Sequence, residues 1–221
     1  MTTRGYGQFC GLARALEMVG ERWALLIVRD LLVGPRRFTD LRQGLPRIPT
    51  NVLSERLKQL EQTGVVQRRV LPRPAASVVY ELTPYGSQLE DVVMRLGVWG
   101  AQSLDQPRDG EIVTTDSMIM ALRSTFVPAA ARGQHVAYEL HLGPIVVHAR
   151  VEDGIIHAGA GELADADLVI DSGPAIKDLL AGDIGPHEAI AQGLVQLRGD
   201  PSLLYTFAQM FHIPRFPASA A

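Results

Sequence analysis

Between Phe9 and Gly100 the apolar residues change from helical spacing to β-type runs and back to helical spacing, and that order leaves few folds open. Phe9, Leu12, Leu16 and Val19 predict a helix ending at Gly20; Trp23, Leu26, Ile27, Leu31 and Leu32 predict a second, closed by Val33-Gly34-Pro35. After Arg36-Arg37-Phe38, Thr39 has the chemistry of an N-cap for a helix of about two turns through Asp40-Leu41-Arg42, which Gly44 and Pro46 end. Thr50 is placed to cap a longer helix. Its buried stripe is Val52 or Leu53, Leu57 and Leu60, its opposite face carries Asn51, Ser54, Glu55 and Lys58, and it stops at Thr63-Gly64. Residues 65–70 and 77–82 read as a hairpin around a turn containing Pro72, Arg73 and Pro74. Thr83-Pro84 opens a last helix, with Leu89, Val92 or Val93, Leu96 and Trp99 leading to Gly100.

Helix, helix, short helix, long helix, basic hairpin, helix is the order of a winged helix-turn-helix. In that fold the short helix crosses the long one, whose polar N-terminal side chains enter the major groove of DNA, while the hairpin lies along phosphates or the minor groove. The charges fit this docking. Arg36, Arg37, Arg68, Arg69 and Arg73 are candidates for phosphate contact, and Thr50, Asn51, Ser54 and Lys58 for base edges or the adjacent backbone. A solvated helix face or a surface arginine pair explains any one of these residues as well. It is the agreement of helix order, turn chemistry and charge placement that points to DNA.

Charge divides the chain at the same place. Residues 1–100 carry 14 Lys and Arg against 9 Asp and Glu, or +5; the remainder carries 7 against 15, or −8, and all six histidines. With 221 residues there is room for two domains, expected at 1–102 and 113–221, with 101–112 as linker. No apolar run reaches the ~18 residues of a membrane helix, no secretory signal opens the chain, and a lone Cys10 forms no internal disulfide, so a cytoplasmic protein without membrane insertion is expected.

Five blocks resemble the HxlR-type regulators, relatives of the MarR group: 10–16 from Cys10, 20–31 from Gly20-Glu-Arg-Trp, 34–41 from Gly34-Pro-Arg-Arg-Phe, 53–61 from Leu53-Ser-Glu-Arg-Leu, and 80–86 from Tyr80-Glu-Leu-Thr-Pro. The resemblance covers roughly residues 8–100; Pro49-Thr50 departs from it where the family tends to begin its recognition helix with serine. It implies a homodimer on a pseudo-palindromic double-stranded operator, with the first and last helices of the domain at the interface. Leu89, Leu96 and Trp99 then serve either that interface or packing within the subunit. Cys10 occupies the place of a cysteine through which some members sense oxidants or electrophiles. Such a thiol must be exposed and have a lowered pKa, from a helix N-terminus or an arginine such as Arg14; otherwise Cys10 is a small packed residue.

The second half predicts an α+β domain, an antiparallel sheet covered by helices. A helix over about 116–125 precedes a half-buried strand, 135–142, in which Val136, Tyr138, Leu140 and Leu142 oppose His135, Glu139 and His141. Gly143-Pro144 and Asp153-Gly154 then turn the chain into strands at 145–152 and 155–158, with a fourth at 166–171, helices at 174–181 and 186–192, a fifth strand at 194–198 and a closing helix. Gly159-Ala-Gly161 lies too close to the next strand for a dinucleotide crossover, the histidines lack the spacing of metal ligands, and no catalytic motif is present, so neither enzyme, metal nor cofactor is expected.

This half resembles the sterol-carrier-protein type of lipid-binding domain, chiefly in Ala166-Asp-Leu-Val-Ile-Asp and in the stretch from Leu194 through Asp200 to Leu204. The resemblance implies an apolar tunnel for a hydrophobic small molecule. Met118, Leu122, Tyr138, Leu140, Leu179, Leu180, Phe207, Met210 and Phe211 are candidates to line it, or else simply fill a core. The leading expectation is a DNA-binding transcriptional regulator controlled by a hydrophobic effector. The alternatives are a carrier of hydrophobic molecules with an interaction module, and a regulator that senses oxidants through Cys10.

Overall fold

The computed structural model describes residues 5–72, 76–104, 107–173 and 175–214. Two compact units divide at residues 93 and 94. In the first, α1 (Gly11–Val19), α2 (Ala24–Val33), α3 (Phe38–Gly44) and α4 (Thr50–Gln62) precede an antiparallel hairpin of β1 (Val66–Val70) and β2 (Val78–Leu82), then α5 (Pro84–Ser87) and the start of α6 (Glu90–Ala101). Ile27, Val28 and Leu31 of α2, Leu41 of α3 and Leu53, Leu57 and Leu60 of α4 form one core with Leu45, Ile48, Val65 and Val66. Each fully buried leucine contributes about 1.5–3 kcal/mol relative to exposure. Facing into that core leaves α4 only one way round.

Two helix starts differ from expectation. Thr39 lies inside α3, because the Asp40 carboxylate accepts the Arg37 backbone N–H at 2.9 Å and sets the start at Phe38. Thr50 is the first residue of α4 rather than its cap; Pro49 takes the cap position, with no side chain able to accept a hydrogen bond.

The helix expected to run unbroken from Pro84 to Gly100 is two helices. Amides of Gln88 and Leu89 bond to the carbonyls of Tyr85 and Gly86, three residues back, which tightens the turn between α5 and α6. Thr83 anchors this junction. Its hydroxyl donates to the Gly64 carbonyl at 2.6 Å and accepts the Gly86 N–H at 3.0 Å, while its own N–H donates to the Val65 carbonyl. The two chain segments come so close that a Cβ on Gly86 would lie 2.0 Å from the Val65 oxygen. Leu89 is partly buried and packs against the core of this unit.

The second unit contains α7 (Thr115–Thr125), β3 (His135–Leu142), β4 (Ile145–Glu152), β5 (Ile155–Ala160), β6 (Leu168–Asp171), α8 (Ala175–Ala181), α9 (Pro186–Ala191), β7 (Gln196–Gly199) and α10 (Leu203–Met210). The sheet order is β5-β4-β3-β6-β7. Asp153 and Gly154, with φ of 45° and 83°, make the tight turn between β4 and β5 that the Asp-Gly pair predicts.

One correction concerns β6, which pairs parallel to β3 and not antiparallel in succession. A second concerns β3, which is central and buried along most of its length, Ala137 and Glu139 included, rather than open on one side. The 161–167 connection explains this. It returns across the polar face of the strand, where the Leu163 N–H donates to Glu139 at 2.6 Å, Asp165 pairs with Arg150 at 2.7 Å and the Asp167 carboxylate accepts the Ala137 N–H at 2.8 Å.

Gly86→Ala should destabilise the first unit by about 2 kcal/mol or more, since backbone must move to admit the methyl group. Chemical denaturation followed by Trp fluorescence measures the loss.

Candidate nucleic-acid interface

Burial of Leu53, Leu57 and Leu60 turns Thr50, Asn51, Ser54, Glu55 and Lys58 outward as one exposed face of α4. Some of this face is already committed locally. The Ser54 hydroxyl donates to the Thr50 carbonyl at 3.0 Å, so its lone pairs remain for a donor such as a base amine. Glu55 accepts from the Gln59 amide at 2.9 Å. Arg56 points elsewhere, bonding Gln59 and pairing with Glu21 at 3.1 Å.

The wing is joined to α4 through charge. Arg68 of β1 donates its Nε–H to Glu61, in the last turn of α4, at 2.6 Å; Arg69 donates to Glu81 of β2 at 2.8 Å, and Gln67 donates to the same carboxylate at 2.9 Å. Hydrogen bonds from Arg69 and Gln67 hold the Glu81 carboxyl below the usual carboxylate range, and the bond to Glu61 raises Arg68 further. Arg36 and Tyr80 exchange backbone hydrogen bonds of 2.9 and 2.8 Å, so the segment before α3 meets β2 in a single antiparallel bridge. The Arg36 side chain folds back onto the Pro35 carbonyl at 3.1 Å, and Arg37 is exposed at the cap of α3. Arg73 lies outside the described residues.

Two exposed arginines, Arg42 in the last turn of α3 and Arg47 between α3 and α4, were not among the sequence candidates. Their signal was in the chain, as two cations in and beside the turn. In a helix-turn-helix that position faces phosphate as readily as the wing does.

Cys10 meets both conditions for a reactive thiol. It is exposed and sits at the cap position of α1. No capping hydrogen bond of full geometry forms, but the N–H groups of Ala13 and Leu12 favour the thiolate and lower the pKa of the group. Arg14 is not the cause; it pairs with Glu17 at 2.8 Å.

In the second unit all nine candidate lining residues are buried, Leu122, Tyr138, Leu140, Phe207, Met210 and Phe211 completely. Tyr138 meets Phe207 edge-on at 5.1 Å between ring centroids, Phe207 stacks on Phe211 at 4.5 Å, and Phe126 closes on Phe211 at 5.5 Å. The Tyr138 hydroxyl donates to the Leu203 carbonyl at 3.1 Å, and burial pushes its pKa up. On the other face of β3, burial alone would raise the Glu139 carboxyl. Its bonds to His141 (2.5 Å) and the Leu163 amide outweigh that and hold it below the usual range. Among the described residues no group of three or more His, Cys, Asp or Glu is placed to hold a metal ion, and no helix is long and apolar enough to cross a membrane.

The helix order, the outward polar face of α4 and the paired hairpin define a winged helix-turn-helix protein. The chain belongs to the HxlR-like helix-turn-helix family, whose profile matches residues 18–108. It is 40% identical over 88 residues to the HTH-type transcriptional regulator YodB of Bacillus subtilis, spanning 40% of this chain and 79% of that protein. To the uncharacterised HTH-type transcriptional regulator YvaP of the same organism it is 38% identical over 92 residues, 42% of this chain and 85% of the relative. Among solved structures, the reduced form of B. subtilis YodB aligns with 46% of this chain and 100% of its own at 35% identity and a TM-score of 0.39.

The lowered Cys10 pKa sets a sign for its chemistry. Alkylation by iodoacetamide should reach half its maximal rate at a lower pH than for an ordinary cysteine, because the thiolate forms earlier; a rate profile from pH 6 to 10 measures it.

Proposed function

We propose that this protein is a sequence-specific transcriptional regulator that binds a pseudo-palindromic double-stranded operator as a homodimer. The observation that carries the reading is the exposed face of α4, with Thr50, Asn51, Ser54 and Lys58 free of the core, tied by Glu61 to a wing bearing Arg68 and Arg69. Membership of the family supports it. Asn51 and Ser54 present groups for base edges, while Arg36, Arg37, Lys58, Arg68, Arg69 and Arg73 supply phosphate contacts.

Two apolar stripes support the dimer. Phe9, Leu12 and Leu16 lie exposed on and before α1, and Val92, Leu96 and Trp99 at helical spacing on α6, Trp99 66% exposed. A second copy is the partner that the family resemblance implies. Dimerisation sets the spacing of two α4 helices, and hence of the half-sites, at about one helical turn or a multiple.

In this reading residues 1–102 form the DNA-binding and dimerisation domain, and residues 113–221 a sterol-carrier-like domain that takes a hydrophobic effector. The order of elements in the second unit supports that assignment. An effector entering among Tyr138, Phe207 and Phe211 must displace ring contacts, and it acts on DNA only by binding two states unequally; tenfold in operator affinity corresponds to about 1.4 kcal/mol. An effect of added fatty acid on operator affinity supports the effector role, whereas copurified lipid without any DNA preference favours the carrier reading.

A second regulatory reading rests on Cys10, whose exposed thiol and thiolate-favouring position suit oxidant sensing. Structures described as the reduced and the diamide-treated forms of YodB exist for a relative. Here, an oxidant such as diamide would take two electrons and two protons from the Cys10 thiols of two copies, which join as a disulfide, and this bond between the starts of two α1 helices would alter the dimer.

Fluorescence anisotropy tests the whole proposal. The wild type should prefer a duplex selected from random sequence over a scrambled one by about 10³-fold or more. Arg68→Ala and Arg69→Ala should each weaken binding to both duplexes and reduce the salt slope by about one, whereas Asn51→Ala should relax base preference at one position per half-site. Diamide should change operator affinity of the wild type and leave Cys10→Ser unaffected. Equal weak binding to every duplex would sink the regulator reading.

A further inference from the structure

Arg68 and Arg69 are neighbours in β1, so the two-residue period of a strand sends their side chains to opposite faces of the hairpin. A carboxylate from a different element meets each one. Glu61 comes from the last turn of α4 and Glu81 from β2, cross-strand from Gln67, whose amide it also accepts. The arginine side chains stay at the surface, 59% and 46% exposed, while the carboxylates are more enclosed, at 24% and 18%.

A guanidinium carries five N–H donors in a fixed planar fork. Committing Nε–H to a carboxylate fixes the plane of that fork and leaves the Nη hydrogens for another acceptor. A phosphate is met bidentately by such a fork. For approaching DNA the two carboxylates have effects of opposite sign. They hold long side chains in one conformation, so less freedom is lost when a phosphate binds. Their charge also repels phosphate, and DNA that does not place its phosphates at the Nη groups feels the repulsion without the contact.

Resting on the DNA-binding reading above, we infer that Glu61 and Glu81 are positioning residues of the wing: they hold one guanidinium on each face of the hairpin with its Nη groups available, and so raise the preference for operator over other DNA. Glu61 does so from α4, which couples the helix that reads bases to the hairpin that grips the flank. Glu81 does so within the hairpin, with Gln67 steadying it.

Two measurements on the full chain test this. Nitrogen relaxation of the arginine Nε–H groups, without DNA, reads the tether itself. Anisotropy with a selected operator duplex and a scrambled duplex reads its consequence. In the wild type the Nε–H groups of Arg68 and Arg69 should be ordered. The double variant Glu61→Ala/Glu81→Ala should release both, and Glu61→Gln/Glu81→Gln, which keeps one acceptor oxygen at each position for the arginine Nε–H, should restore the order. The ratio of operator to scrambled affinity should fall about threefold per lost pair in the alanine variant. In the glutamine variant the ratio should lie between those of the alanine variant and the wild type, because the orientation is kept while the repulsion of unmatched DNA is lost, and both duplexes bind more tightly for want of two negative charges. Arginines as mobile in the wild type as in the alanine variant would overturn the inference, as would alanine and glutamine variants that shift both duplexes by one common factor. Failure of the wild type to prefer any duplex would refute the DNA-binding reading and this role together, an outcome distinct from the other two.

Discussion

Burial of Leu53, Leu57 and Leu60 decides the rest of the first unit. These three side chains, all essentially inaccessible, key α4 against α2 and α3. Once they are seated, helical periodicity leaves Thr50, Asn51, Ser54, Glu55 and Lys58 no direction but outward. The turn between α3 and α4 is held by the same core through Leu45 and Ile48, so the angle of approach of α4 is fixed by packing and not by the polar residues that would use it. A polar substitution on the outer face therefore changes recognition at little cost to the fold, whereas loss of one core leucine would cost about 2–5 kcal/mol.

Electrostatics is layered on that frame. Arg68 and Arg69 of the wing are not bare cations waiting for phosphate; each already has a carboxylate partner. Exposed pairs of this kind contribute little to stability, about 0–1 kcal/mol, so their meaning lies in orientation and in opposition to unmatched DNA. The same logic explains why net charge was a weak guide. The first hundred residues carry only +5, because carboxylates are interleaved with the arginines where the structure uses them.

In the second unit the decisive element is β3, flanked by β4 and β6 and covered on both faces. Its apolar side chains join an aromatic cluster with α10; its polar side chains are bridged by the returning 161–167 connection. Glu139 is buried there with both oxygens engaged, a cost met by two hydrogen bonds. The alternation of Glu139 and His141 with apolar neighbours was readable in the chain. That a loop would cover them was not, because alternation reports which residues share a face and says nothing of what crosses it.

Sequence alone determined the succession of elements in the first unit, the buried stripe of α4 and the position of the wing, since periodicity, caps and turn residues are local properties that act within a few residues. Only tertiary structure decided the rest. Which carboxylate meets which arginine depends on residues 7 and 12 positions apart, the first pair brought side by side by the turn from α4 into β1 and the second by the hairpin. The break between α5 and α6 follows from the close approach of Gly86 to Val65, a contact between segments that no local pattern encodes. The parallel pairing of β6 with β3 likewise depends on the 161–167 connection, which carries the chain back along the sheet before β6 begins.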